Sequence, residues 1–235
     1  MNFITVDSYE ELSKIGARII ASVITLKNNC VLGLATGSSP VGIYDELIKK
    51  YNEGRLDFSK VTSINLDEYV GLDGSSDQSY RYFMNEHLFN HVNIDINNTY
   101  VPNGKAENIE QFAKEYDERI EKLGIDIQLL GIGPDGHIAF NEPDDCFTLA
   151  THEVKLLDST IEANSRFFAS REDVPTSAVT MGIKGIMSAK KILLVANGAA
   201  KKDVLYKAFF GPVTPQIPAS ILQLHPDVTV IFTEN

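Results

Sequence analysis

Asp135, His137 and Glu142 stand close together on a turn broken by Gly133 and Gly136, directly after the apolar run Ile125–Ile132. Carboxylates on either side of an imidazole would fix its orientation, as a proton relay requires, although the same residues would also suit a polar loop that satisfies its own backbone. A second acidic pair, Asp67-Glu68, closes the apolar run Val61–Leu66. Burial and a neighbouring like charge would hold one of these carboxyls protonated to unusually high pH, toward the range of a general base. The same pair would also suit a solvated acidic turn. A third segment, Thr36-Gly37-Ser38-Ser39, leads from a strand into a helix N-terminus, where free N–H groups and the helix dipole favour an anion such as phosphate. It has neither the GxxxxGK[ST] nor the GxGxxG pattern, so it does not point to a nucleotide, and it would equally serve as an ordinary turn with a serine cap. Candidate cations for a phosphate are Arg166, in Asn164-Ser165-Arg166-Phe167-Phe168, and Lys201. A lysine at a helix start suggests an anion nearby, and would equally be an ordinary solvated lysine.

These residues have to be positioned by the elements between them. Ser8 and Glu11 form a capping box before a helix in which Leu12, Ile15, Ile19, Val23 and Leu26 are expected to face the core. The run Cys30–Ala35 reads as the first strand, and Pro40 suits the first turn of the helix carrying Ile43, Leu47 and Ile48. The alternation continues with strands at Val61–Leu66, near Thr99–Val101, at Ile125–Ile132, Ile192–Ala196 and Val228–Phe232. Helices are expected at Tyr80–Phe89, from Ile109 to Leu123, near Ile183–Met187 and at Ala200–Phe210. Strands apolar on both faces and separated by helices predict an α/β fold: a doubly wound, mostly parallel sheet, Rossmann-like, with helices on both sides. Residues 1–235 are expected to form a single catalytic domain. The stretch from about 134 to 175 reads as irregular and is a candidate lid or subdomain. In such sheets ligands bind beyond the carboxyl ends of the strands, and all the reactive segments fall there.

With 235 residues, 43% hydrophobic and 23% charged, the chain has the composition of a globular protein with a sizeable core. A net charge of -11 argues against nucleic acid or an anionic membrane as a partner. No apolar run reaches the roughly 18 residues of a membrane span, and the start lacks the pattern of a secretory signal, so a cytoplasmic location is expected. Cys30 and Cys146 sit in no metal-binding or disulfide spacing. His87 and His91 on one helix lack the HExxH pattern and a third ligand, and the zinc-deaminase signature is absent, so no metal is expected.

Taken together, these segments resemble the glucosamine-6-phosphate deaminases, also called glucosamine-6-phosphate isomerases, over essentially the whole chain. The resemblance is carried by Leu34–Pro40 (LATGSSP), Asn65–Leu72 (NLDEYVGL), Gly131–Pro143 (GIGPDGHIAFNEP), Ala163–Phe168 (ANSRFF) and Leu222–Pro226 (LQLHP), in the family's order. It implies a carbon–nitrogen hydrolase of amino-sugar (N-acetylglucosamine) catabolism that uses no cofactor and takes an amino-sugar phosphate as substrate. Carried over by position, it implies that Asp67 is the base for enolisation and that His137, held by Asp135 and Glu142, serves ring opening. The phosphate would be held by Gly37, Ser38, Ser39, Arg166 and Lys201. Larger hexameric members have a C-terminal extension and place basic residues for an N-acetylglucosamine 6-phosphate activator where this chain has Thr151-His152-Glu153-Val154. The expectation is therefore an unregulated enzyme, a monomer or small homo-oligomer. A 6-phosphogluconolactonase would share the fold but usually has Asp-Glu-Arg where this chain has Asp67-Glu68-Tyr69. A sugar-phosphate-sensing domain of a transcription regulator would need a DNA-binding module, whereas the residues before Cys30 read as one helix.

Overall fold

Short runs of branched aliphatic residues build the main sheet, and the turns bearing Gly37 and His137 leave from its strands. In the computed structural model, which describes residues 1–165, 168 and 170–235, β2 (Val31–Leu34) and β6 (Ile127–Leu130) are buried along their whole length, and β9 (Ile192–Asn197) is buried except at its last residue. Strands enclosed on both faces have no use for polar alternation, which is why they read as continuous apolar segments. They join β1 (Asn2–Val6), β3 (Thr62–Asn65), β5 (Thr99–Tyr100) and β10 (Val228–Thr233) in a seven-stranded parallel sheet of order β1-β10-β9-β6-β2-β3-β5. From β2 the chain moves to β3 and β5 on one side; from β6 it moves to β9 and β10 on the other. The two directions part between β2 and β6, and a crevice opens there beyond the carboxyl ends of the strands.

The first helix, α1 (Tyr9–Leu26), is capped by Ser8, whose hydroxyl accepts from the Glu11 N–H at 3.2 Å. Its buried face differs from the expected stripe. Leu12, Ala17, Ile20 and Ile24 are deepest, Ile15, Ile19 and Val23 are half-buried, and Leu26 is 87% exposed. The reason lies in α2 (Val41–Asn52), which packs along α1. A Cβ on Gly16 would stand 2.6 Å from Ile43 Cδ1, so small residues mark the contact face and a hydrophobic pattern misses them.

Two more expectations are corrected. The residues before Cys30 hold a strand as well as a helix: β1 pairs with β10 from Asn2 to Val6, and its exposed edge position leaves it without a strong apolar signature. The stretch from 134 to 175 is not wholly irregular, since it contains β7 (His152–Lys155) and α5 (Asp158–Asn164). With β4 (Asp67–Tyr69) and β8 (Ser177–Thr180), β7 makes an antiparallel sheet of order β4-β8-β7. A separate apolar cluster, including Tyr69, Phe140, Leu156, Ile161 and Val174, accompanies this sheet. The polar run His-Glu-Val-Lys, half exposed, gives little sign of a strand. Among the described residues the other α-helices are α3 (Tyr80–His87), α4 (Ile109–Leu123), α6 (Ile183–Met187) and α7 (Lys202–Phe210).

Leu193, fully buried in β9, tests the sheet core. Leu193→Ala is expected to cost about 2–5 kcal/mol in urea unfolding, and Leu26→Ala less than about 0.5 kcal/mol.

Candidate active site

The crevice is an open cleft of about 460 Å³ lined by Thr36, Gly37, Ser38, Ser39, Asp67 and His137, among others. That volume suits a small-molecule ligand.

Gly37 has φ of 87°, a left-handed conformation that glycine adopts without strain, and it turns the chain from β2 toward α2. The N–H groups of Gly37, Ser38 and Ser39 have no hydrogen-bond partner among the described residues. Sequence reasoning missed what fixes this turn from behind. The Tyr44 hydroxyl donates to the Ala35 carbonyl at 2.5 Å, and Tyr9 reaches in from α1 to the Ser38 and Ser39 carbonyls.

Asp67 lies at the start of β4, opposite Thr180, and is buried. Burial, reinforced by the adjacent Glu68 charge, pushes its carboxyl up to about 8. Glu68, also buried, is satisfied differently: its carboxylate accepts from the Tyr69, Tyr80 and Arg81 N–H groups at 2.9, 2.9 and 3.0 Å. It thereby sits on the positive end of α3. Burial still raises the Glu68 pKa against the pull of those three donors. Tyr80 enters the cleft beside Asp67, and its phenol, raised well above its ordinary value by burial, remains a neutral donor. Nothing in the sequence singled it out, because it reads as one more aromatic on a helix.

His137 Nδ1 lies 2.7 Å from Asp135 Oδ1, although out of line for an ideal hydrogen bond, and Asp135 Oδ1 also accepts from the His137 N–H at 3.1 Å. Burial works against the Asp135 charge, but its contacts with His137 outweigh that and bring its pKa below the ordinary value. Gly133 permits the arrangement: a Cβ there would fall 2.2 Å from the imidazole Cε1. Ala139, with φ of 53°, holds a left-handed conformation unusual for alanine as the chain leaves the loop.

Glu142 is placed elsewhere. Its carboxylate accepts from the Leu157 N–H at 3.0 Å and from the Thr160 hydroxyl, fastening the start of α5, and it lines a neighbouring cavity with Pro143 and His152. Asp135 and Glu142 therefore do not flank the imidazole together in this structure. Lys201 lines the cleft, and its ammonium donates to the Ile132 carbonyl at 2.8 Å. Arg166 lies outside the described residues. From α5, Ser159, Thr160 and Asn164 line the cleft.

Among the described residues no group of three or more His, Cys, Asp or Glu stands together as a metal site. His87 packs on the Phe83 ring at 4.2 Å between centroids, and His91 Nε2 bonds the Glu86 carbonyl at 2.8 Å. No helix of the described residues is long and apolar enough to cross a membrane.

A high-pKa carboxyl, a carboxylate-paired imidazole and a turn whose N–H groups have no partner among the described residues line one cleft. The chain belongs to the family of glucosamine-6-phosphate isomerases and 6-phosphogluconolactonases, whose sequence model matches residues 7–231. It is 59% identical to a glucosamine-6-phosphate deaminase of Lachnoclostridium phytofermentans, over 98% of each chain. It is 57% identical to that of Clostridium perfringens, over 100% of this chain and 98% of the relative. A solved structure of a monomeric glucosamine-6-phosphate deaminase of the NagB superfamily superposes with a TM-score of 0.97 at 44% identity, covering 99% of this chain and 97% of that one. A 6-phosphogluconolactonase from Thermotoga maritima, at 19% identity and a TM-score of 0.76 over 99% of this chain and 98% of that one, shares the fold.

The raised Asp67 pKa has a consequence for stability. Between about pH 4 and pH 8 the folded protein keeps a proton on Asp67 that the unfolded chain has released, so this group makes stability fall as pH rises through that window and has no further effect above it. Asp67→Asn is expected to flatten that fall. Denaturant midpoints at pH 5 and pH 8 that decline equally in wild type and variant would contradict the assignment.

Proposed function

We propose that this chain is a glucosamine-6-phosphate deaminase, converting glucosamine 6-phosphate and water to fructose 6-phosphate and ammonia. The observation that carries the reading is the buried Asp67 carboxyl, with its pKa near 8, in the same cleft as His137 and the Gly37–Ser39 turn. An aldose-to-ketose shift needs a base beside the sugar carbons and a separate proton carrier at the oxygens.

His137, oriented by Asp135, gives a proton to the ring oxygen as the C1 hydroxyl loses its own, which opens the pyranose to the aldehyde. The Asp67 carboxylate takes the proton from C2 while the aldehyde oxygen regains the proton that the C1 hydroxyl gave up, and the enolamine forms; the Asp67 proton then passes to C1 as the nitrogen gives up one of its own, leaving a ketimine at C2. Water adds to C2 and ammonia departs with the nitrogen. The Gly37–Ser39 N–H groups hold the phosphate with Lys201 and Arg166, the arginine being assigned on its sequence motif. Glu142 acts from its place beside α5, where it anchors Thr160 in the cleft wall. The 134–175 segment covers the substrate as a subdomain, a role supported by the α5 residues in that wall.

We read the enzyme as cytoplasmic, where a doubly charged sugar phosphate is retained, and as monomeric, on the likeness to the monomeric relative. Its place is in the catabolism of N-acetylglucosamine.

EDTA-treated protein given glucosamine 6-phosphate should release ammonia and fructose 6-phosphate in equal amounts, and Asp67→Asn should abolish both. Hydrolysis of 6-phosphogluconolactone with neither product would overturn the reading. Because Asp67 works as the carboxylate, kcat/KM should rise with pH to a midpoint near 8. Gly133→Ala, which drives the imidazole from its seat, should lower kcat on the order of a hundredfold, the usual consequence of a displacement of about 1 Å.

A further inference from the structure

We propose that Tyr9 is a positioning residue of the phosphate cradle, its hydroxyl setting the Ser38–Ser39 peptide plane so that the Ser39 N–H is aimed into the cleft. The inference rests on the reading of the Gly37–Ser39 turn as the phosphate site.

Tyr9 is the first residue of α1, far from the turn in sequence, and its half-buried ring packs against the main core. Its hydroxyl proton is shared between the Ser38 and Ser39 carbonyls at 3.0 and 3.1 Å, and the same oxygen accepts from the Gly42 N–H at 2.9 Å. One phenol oxygen thus uses its donor and an acceptor lone pair on three points of the turn and helix start.

Two consequences follow from peptide geometry. In a trans peptide the C=O and the next N–H point in opposite directions, and the described residues contain no cis peptide. Drawing the Ser38 carbonyl toward Tyr9 therefore turns the Ser39 N–H away from Tyr9, and Ser39 lines the cleft. The second consequence concerns α2, whose first N–H groups have no partner within the helix. The residue before it, Pro40, supplies no side-chain cap, and Tyr9 supplies one to Gly42 from another helix. Gly42 allows the approach: a Cβ there would lie 3.1 Å from Tyr9 Cε1 and 2.3 Å from Ser13 Oγ. The ligand-facing N–H groups are left to Gly37, Ser38 and Ser39, which carry no partner among the described residues.

The test uses Tyr9→Phe, which keeps the ring and removes the hydroxyl, beside Tyr9→Leu, which removes both. Inhibition by inorganic phosphate, KM for glucosamine 6-phosphate, kcat and the melting temperature are measured for each and for wild type. In Tyr9→Phe the phosphate inhibition constant and KM are expected to rise together by about three- to tenfold, the size of one lost hydrogen bond, with kcat within about twofold of wild type. A folded Tyr9→Phe with unchanged phosphate inhibition overturns the proposal, as does a normal Phe variant beside a weakened Leu variant, which would assign Tyr9 to packing. Failure of the Phe variant to fold would assign the hydroxyl to the fold and also overturn it. Wild-type protein that turns over the sugar phosphate yet ignores inorganic phosphate would instead refute the phosphate assignment of the turn.

Discussion

Two adjacent carboxyls are taken out of water at the end of β3, and the way their desolvation is met differs. Glu68 receives three backbone N–H groups and the positive end of α3, so its charge is compensated within the fold. Asp67, the neighbour, has burial and the Glu68 charge against it, and its pKa moves to about 8. Burying a charge without partners is costly, and the protein meets that cost by keeping Asp67 protonated over most of the neutral range. In the proposed reaction this is the carboxyl that exchanges a proton with the sugar carbons. The fixed partnership of Glu68 is what lets Asp67 be the labile member of the pair.

The surrounding architecture serves to bring groups from distant segments to that carboxyl. Asp67 opens β4, a strand of the small antiparallel sheet, while the anion-ready turn follows β2 and the His137 loop follows β6. Because β2 and β6 are neighbours at the point where the chain changes direction, their trailing loops cannot cover each other and the cleft stays open between them. The loops are nevertheless held from behind. Ala219 N–H bonds the Gly136 carbonyl at 2.8 Å, and Tyr9 and Tyr44 brace the turn after β2. Held in this way, reactive groups on loops stay in register without moving the sheet.

Much of this was legible in the sequence. The parallel sheet showed as continuous apolar runs, since strands buried on both faces admit few polar residues, and the reactive segments showed as glycine, serine and carboxylate clusters just after those runs. What escaped notice had weak local signals. The edge strand β1 and the half-exposed β7 are stabilised by pairing with remote strands, and such short, largely exposed runs carry no period that reveals it. Tyr9 acts through a hydroxyl whose partners lie on another segment, and sequence spacing says nothing of such partners.

The sequence by itself determined the α/β class, the order of its main elements and the identity of Asp67, Asp135 and His137 as candidates, because hydrophobic period and residue chemistry are local properties. Only the tertiary structure decided that Glu68 is the fixed carboxylate and Asp67 the labile one, and that Glu142 fastens α5 instead of flanking the imidazole. Proton affinity and hydrogen-bond direction are set by which groups from distant parts of the chain share a desolvated space, and that is fixed only when the chain has folded.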